Sequence, residues 1–184
     1  MHHKNIIKLF EVLETKNEIY MVMEYAQGGD LLTFMKNRRS LQEPEARKIF
    51  RQIVNGLGHI HCRSVLHRDV KLDNILLDSN GTIKICDFGI SRIIFDSTSL
   101  IFEQCGTPAY VSPEIMKDNG YSGFKSDVWS LGIILFALVC GQLPFKAASL
   151  SDLRDVIVKG KFVFPEKLSV EGGEKVTAIY SHEY

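Results

Sequence analysis

The run His67-Arg68-Asp69-Val70-Lys71-Leu72-Asp73-Asn74 gathers acids, bases and an amide in one short stretch between apolar residues. Asp69 is a carboxylate that can take a proton from a hydroxyl. Lys71, two residues on along an extended loop, points the same way and can hold an anionic group as a point charge. Asn74 offers a neutral amide oxygen. Thirteen residues later, Asp87-Phe88-Gly89 closes the strand-like run Thr82-Ile83-Lys84-Ile85-Cys86. Its carboxylate and the Asn74 oxygen are hard ligands of the kind magnesium prefers. Phe88 anchors that carboxylate by packing, and Gly89 lets the backbone turn. A third block, Gly106-Thr107-Pro108 through Ser112-Pro113-Glu114, follows a polar interval. One such tripeptide occurs by chance; three in this order and spacing do not.

In these blocks the sequence resembles the eukaryotic protein kinase family, whose catalytic loop, metal-binding tripeptide and activation-segment end read this way. The resemblance implies an α+β fold of the protein kinase type, with a mostly helical C-lobe, a hinge and two N-lobe strands. It further implies transfer of the ATP γ-phosphate to a protein Ser or Thr hydroxyl, with ATP and Mg2+ as cofactors. Asp69 then orients the acceptor hydroxyl and takes its proton, Lys71 holds the transferring phosphate, and Asn74 and Asp87 are the metal ligands. Lys71 and Thr107 resemble the serine/threonine branch, in which Thr107 is expected to contact Asp69 and Lys71. The runs Val22-Met23-Glu24-Tyr25 and Cys105-Gly106-Thr107-Pro108 look most like the calcium/calmodulin-dependent and AMP-activated kinase-like branch.

Further positions carry over from the same resemblance. Met23 matches the gatekeeper, the backbone of Glu24 and Ala26 is expected to hydrogen-bond adenine, Asp30 to reach the ribose, and Leu76 to lie beneath the base. Asp30 also reads as a helix N-cap, and both roles can coexist. Leu9, His67 and Phe88 match the regulatory spine, and Asp127 matches the acid that holds the catalytic-loop backbone. Their other reading is ordinary core packing.

The pattern departs in places. Arg68 beside Asp69 is the arrangement that, in the family, pairs with a phosphate on the activation segment, and at the usual acceptor position stands Glu103. A carboxylate there is a weaker, built-in substitute, with one charge and two acceptor oxygens. A solvated Glu103, with modification at Thr98 or Ser99, is the competing reading. Ser112 replaces the Ala usual before Pro113-Glu114. The Gly-rich loop, its strand Lys and the partner Glu are expected before Met1, and the last C-lobe helices after Phe164. The resemblance therefore covers roughly residues 3 to 165, as a partial kinase domain: residues 1–23 an N-lobe remnant, 24–30 the hinge, 31–165 the C-lobe, 166–184 an unassigned tail. A non-catalytic kinase-like binding or regulatory module is the alternative function, and the chain by itself is expected to be nearly inactive.

Elements must position these residues. Ile6 to Val12 and Glu18 to Glu24 read as antiparallel strands around Glu14-Thr15-Lys16-Asn17. Asp30 opens a helix from Leu31 to about Arg38. From Glu43 to His61, the residues Ala46, Ile49, Phe50, Ile53, Leu57 and Ile60 recur at helical spacing, and Pro44 suits a first turn. Ile75 to Leu77 and Thr82 to Cys86 form a hairpin around Asp78-Ser79-Asn80-Gly81, presenting Asn74 and Asp87 near one another. The interval from Asp87 to Glu114 has no periodicity. Ser126 to Cys140 is a core helix ended by Gly141, Leu150 to Val158 a shorter helix, and Phe162 to Pro165 an extended tail.

Composition bounds the partners. The 22 basic and 22 acidic residues among 184 cancel, so no overall positive field draws nucleic acid or an anionic membrane. Partners are expected to be a protein substrate with a Ser or Thr acceptor, with an upstream kinase or regulatory subunit also possible. Cys62, Cys86, Cys105 and Cys140 lack paired spacing, and three sit in apolar surroundings that suggest buried thiols; a reduced compartment is expected, cytoplasmic with the nucleus also open. There is no charged-then-apolar leader, and the longest apolar run, Leu131 to Cys140, is too short to span a bilayer.

Overall fold

A computed structural model describes residues 2–96 and 98–162. Two long helices form the spine of its core. Helix α2 (Glu43–His61) buries Ala46, Ile49, Ile53, Leu57 and Ile60 as the spacing predicts. Pro44 lies in its first turn beside Glu43 and Glu45, and His59 and His61 lie in its last, an order that suits the helix dipole. Helix α4 (Gly123–Cys140) is buried on nearly every side, including Trp129, Ile133, Ile134, Phe136 and Leu138. Each such side chain contributes on the order of 1.5–3 kcal/mol on leaving water. Helix α4 starts three residues before the expected Ser126. Its 18 residues would by length and apolarity cross a membrane, but 67% of it is buried in the chain's own core.

Around these helices the other elements are short. Helix α1 (Leu31–Arg38) is capped by Asp30, whose carboxylate accepts from the Thr33 N–H at 2.7 Å and the Thr33 hydroxyl at 2.9 Å. Strands β4 (Ile75–Leu77) and β5 (Ile83–Ile85) form the expected antiparallel hairpin, and Asp78 organises its turn by accepting from the N–H groups of Asn80 and Thr82, each at 2.8 Å. Strand β3 (Val65–Leu66) pairs with β6 (Arg92–Ile93). The short helix α3 (Pro113–Lys117) and α5 (Leu150–Lys159) complete the described residues, α5 capped by the Ser149 hydroxyl and running one residue past the expected end. Of the expected tail only Phe162 lies among the described residues; its ring meets Phe136 and Phe145 edge-on.

The first strand corrects the sequence reading. Strand β1 spans Leu9–Glu14 and pairs with β2 (Ile19–Met23), so Ile6 and Ile7 lie outside it. Those two residues are buried because the chain runs alongside β5 there: Ile7 donates to the Ile85 carbonyl at 2.8 Å and Ile85 to the Asn5 carbonyl at 2.9 Å. Asn5 is itself buried, its Nδ2 donating to the Ile83 carbonyl at 2.9 Å. Beyond this anchor the β1–β2 hairpin is exposed on both faces.

One further expectation shifts. None of the four cysteines is fully buried: Cys62 is exposed and the other three are half-buried, with Cys62, Cys86 and Cys140 at or next to element ends and Cys105 in the segment between β6 and α3. Gly141 ends α4 at φ +70, and a Cβ there would lie 2.3 Å from the Arg39 carbonyl oxygen. Gly141→Ala is therefore expected to lower the unfolding free energy by about 2–4 kcal/mol, strain and backbone clash together, as measured by urea unfolding.

Candidate active site

The catalytic run is shaped from beneath by a buried acid. Asp127, in the second turn of α4 and 1% exposed, accepts from the backbone N–H of His67 at 3.0 Å and of Arg68 at 2.9 Å. His61 Nε2, at the end of α2, lies 2.8 Å from the same carboxylate. Arg68 is thereby held at φ +68, and Asp87 stands at φ +61. Each left-handed, non-glycine residue costs on the order of 1–3 kcal/mol, which the surrounding bonds must offset. The bend turns the backbone so that the side chains of residues 69, 71 and 74 converge.

His67 packs its ring against Phe88 at 4.9 Å between centroids. Its Nε2 faces the Cys86 carbonyl at 3.0 Å and its Nδ1 faces the Asp69 N–H at 3.3 Å. A carbonyl can only accept and an N–H only donate, so the pair of contacts fits the neutral ring with the proton on Nε2. Burial likewise depresses its pKa below the ordinary 6.5, against the smaller pull of Asp127. Leu9, the third expected member of this stack, stays 49% exposed on the open hairpin. The expected spine is thus present only as the His67–Phe88 pair.

Asp69 lies at the centre of a closed triangle. Its Oδ1 accepts from the Thr107 N–H at 3.0 Å and the Thr107 hydroxyl at 2.7 Å. Its Oδ2 meets Lys71 Nζ at 2.8 Å and Asn74 Nδ2 at 3.2 Å. Lys71 also donates to the Thr107 hydroxyl at 2.8 Å, so that oxygen receives from Lys71 and gives to Asp69. Burial raises the Asp69 carboxyl, but Lys71 and Thr107 together outweigh it and hold the group below its ordinary value. Asp69 is therefore charged near neutral pH, the form in which a carboxylate can accept a proton. Gly106 permits the approach: at φ +102, a Cβ there would sit 2.8 Å from the Arg68 carbonyl oxygen.

Asn74 ends a 3₁₀ turn directly before β4, and Asp87 lies two residues past the end of β5. The Cys86 N–H donates to the Asn74 carbonyl at 3.0 Å, which brings the two oxygen donors to the same end of the hairpin. Asn74 commits Nδ2 to the Asp69 carbonyl at 2.9 Å and to its carboxylate, so among the described residues its Oδ1 has no donor. Asp87 accepts only a 3.2 Å bond from Gly89 N–H there, leaving its other oxygen open. Two hard oxygens without competing donors fit a small divalent cation shared with phosphate oxygens. The thiol of Cys86 beside them is pushed up to about 11, chiefly by burial and then by the Asp87 charge.

The expected nucleotide end is laid along β4. The Gly28 N–H donates to the Leu77 carbonyl and the Leu77 N–H to the Gly29 carbonyl, each at 2.8 Å, and Asp30 bridges to Leu76. Glu24 turns its side chain away to Lys84 at 2.5 Å and the Lys8 N–H at 3.1 Å. Among the described residues the Glu24 carbonyl and the Ala26 N–H take no hydrogen bond, leaving one backbone acceptor and one donor two residues apart. Met23 remains on the exposed hairpin.

Sequence reasoning missed several participants. His61 lies 66 residues from Asp127, and no local pattern ties them. Arg68 Nη1 does meet Glu103 Oε2, at 2.5 Å, with Arg92 Nη1 at 3.8 Å from the same oxygen. Arg92 and the Tyr121 hydroxyl, which donates to the Glu103 carbonyl at 3.0 Å, carry no sequence signal of that role.

Asp127→Ala would strand two buried N–H groups beneath the bend, and unfolding measurements should show a loss of about 3–5 kcal/mol. Stability should also depend on His67. Its native pKa lies below the unfolded value, so its contribution is complete above pH 6.5 and declines as pH falls through that value, where only the unfolded chain gains the proton. Unfolding free energies between pH 7.5 and 5 should fall less steeply in His67→Phe than in the parent; equal slopes would contradict the assignment.

The comparisons with known proteins agree with this geometry. The chain is 42% identical over 171 residues to CBL-interacting serine/threonine-protein kinase 24 of Arabidopsis thaliana, covering 93% of this chain and 38% of that protein. It is 46% identical over 172 residues to CBL-interacting serine/threonine-protein kinase 15 of the same plant, covering 92% and 40%. A serine/threonine-protein kinase SIK3 homolog of Danio rerio is 43% identical over 171 residues, covering 93% of this chain and 14% of that protein. The chain thus spans two-fifths or less of these relatives' lengths. The relatives fall in the branch that the Met23 and Cys105 runs resemble. Residues 1–178 match the protein kinase domain, and on that match the chain belongs to the protein kinase family.

Proposed function

We propose that this chain carries the large-lobe half of an ATP- and magnesium-dependent protein serine/threonine kinase. The observation that supports it best is the Asp69–Lys71–Thr107 triangle, closed at 2.7–2.8 Å beside the open oxygens of Asn74 and Asp87. Asp69 accepts the proton of the Ser or Thr hydroxyl as that oxygen bonds to the γ-phosphorus and the bond from that phosphorus to the β–γ bridging oxygen breaks, with ADP as the leaving group. Lys71 holds the transferred group, and Thr107 fixes both side chains in register. Asn74 Oδ1 and the Asp87 carboxylate would hold magnesium, which when bound neutralises charge on the nucleotide phosphates. Adenine would meet the Glu24 carbonyl and Ala26 N–H at the other end of β4, with Asp30 near the ribose and Leu76 below the base. Three residues of strand separate these ends, about 10 Å.

The acceptor peptide would enter beside Thr107. There a groove of about 560 Å³ is lined by Gln104, Pro108, Val111, Met116, Leu150 and Arg154. Two relatives are named as CBL-interacting, and a regulatory protein partner is part of this proposal. A second reading, a kinase-like binding module without turnover, is favoured by the β1–β2 hairpin, whose apolar side chains are open to solvent.

The two readings separate in one assay. The full-length protein is incubated with magnesium, labelled ATP and a basic Ser/Thr peptide, and Asp69→Asn should lower kcat by a factor on the order of 10²–10⁴. Absence of transfer by the parent, or transfer unaltered by the substitution, would favour the binding module.

A further inference from the structure

On the side to which Glu24 turns its carboxylate lies a cavity of about 290 Å³ whose lining is mostly basic. Lys4, Lys8 and Lys84 reach it together with His2 and His3, and Glu24 is its one acid. Three ammonium groups against one carboxylate leave a net positive charge there, in a chain whose 22 basic and 22 acidic residues cancel. Glu24 is already committed, to Lys84 at 2.5 Å and to the Lys8 N–H at 3.1 Å. Among the described residues no carboxylate is in ion-pair range of Lys4 or Lys8. Lys8 Nζ stands instead 4.8 Å from the centre of the Phe10 ring. Like charges gathered without a counter-ion repel one another, and one bound anion relieves them all.

His3 adds a directed donor. Its Nδ1 accepts from the Asn5 N–H at 3.1 Å, so the neutral ring carries its proton on Nε2, which has no acceptor among the described residues. The ring stacks on His59 of α2 at 4.5 Å between centroids, and Arg63 Nη1 lies 3.2 Å from His59 Nδ1, so basic groups approach this end from α2 as well. Burial, then Lys4 and Arg63, lower the His3 pKa, as expected of a ring among cations with no anion beside it. Ile6 and Phe10 add apolar lining that suits the carbon stem of a phosphate ester. From this geometry we infer that the cavity is a binding site for a phosphate-class oxyanion, free or carried as a monoester on a short stem, held by Lys4, Lys8 and the Nε2–H of His3. A tetrahedral anion with nearly two charges and three or more acceptor oxygens matches two ammonium groups and a ring N–H better than a lone carboxylate does. The site lies apart from Asp69 and does not depend on the kinase reading.

The test is an NMR titration of the full-length protein with ring-labelled histidine, the His3 signal being assigned from His3→Gln. Inorganic phosphate, added at ionic strength held constant with sodium chloride, should shift the His3 ring signals saturably and raise the His3 pKa. Reading that ring keeps phosphate held at Lys71 out of the signal. Lys4 and Lys8 are exposed, so Lys4→Gln and Lys8→Gln should keep the parent Tm while each weakens binding by roughly fivefold or more. Lys16→Gln, between β1 and β2, should bind like the parent. Shifts that sodium chloride alone reproduces would overturn the inference, as would parent-like binding by both Lys4→Gln and Lys8→Gln. A phosphoserine peptide run beside its unphosphorylated form separates the two sources of phosphate. Tighter binding than inorganic phosphate assigns the site to a carried monoester, and weaker binding assigns it to the free ion. Equal His3 shifts from both forms of the peptide would overturn the assignment to phosphate.

Discussion

The buried carboxylate of Asp127 is the constraint on which the rest of the molecule depends. Taking such a group out of water costs several kcal/mol, and here the backbone N–H groups of His67 and Arg68 and the His61 ring offset that cost. The acid sits one turn into a helix whose other residues form the core, so it cannot move without disturbing that core. What it holds is a backbone bend with Arg68 in the left-handed region. That bend determines where Asp69, Lys71 and Asn74 point.

Two connections then spread this local geometry. The β4–β5 hairpin brings Asn74 and Asp87 to one end and receives the 24–30 segment at the other. Thr107 joins the catalytic bend to the later segment by bonding both Asp69 and Lys71. Neither connection is long. Each is a pair of hydrogen bonds between elements already fixed by burial, which is why short elements suffice to form a site from residues 69 to 107.

What the sequence disclosed follows the strength of its periodic signals. Helix α2 lies where its apolar spacing and Pro44 put it, and Asp30 caps α1 as its residue type suggests. Thr107 contacts Asp69 and Lys71 as the resemblance implied, a juxtaposition that no local periodicity could have shown. Strands of two residues such as β3 and β6 carry no periodicity, and helix α3 is only five residues long, so neither could be read from pattern. The misplaced start of β1 has another origin. Ile6 and Ile7 are apolar like Leu9, Phe10 and Val12 after them, but they serve the core beside β5. Leu9 fails to reach the His67–Phe88 pair because family position says nothing about whether a covering layer is present.

The half-buried thiol of Cys86 stands one residue before Asp87 and donates to the Asn74 carbonyl at 3.4 Å. Burial, and then the Asp87 charge, push its pKa up to about 11, so the sulfur keeps its proton at neutral pH. A soft nucleophile beside two hard oxygens would ordinarily invite zinc, copper or an alkylating agent. Half-buried and donating to a carbonyl, the protonated sulfur at this corner is a weak nucleophile toward an alkylating agent.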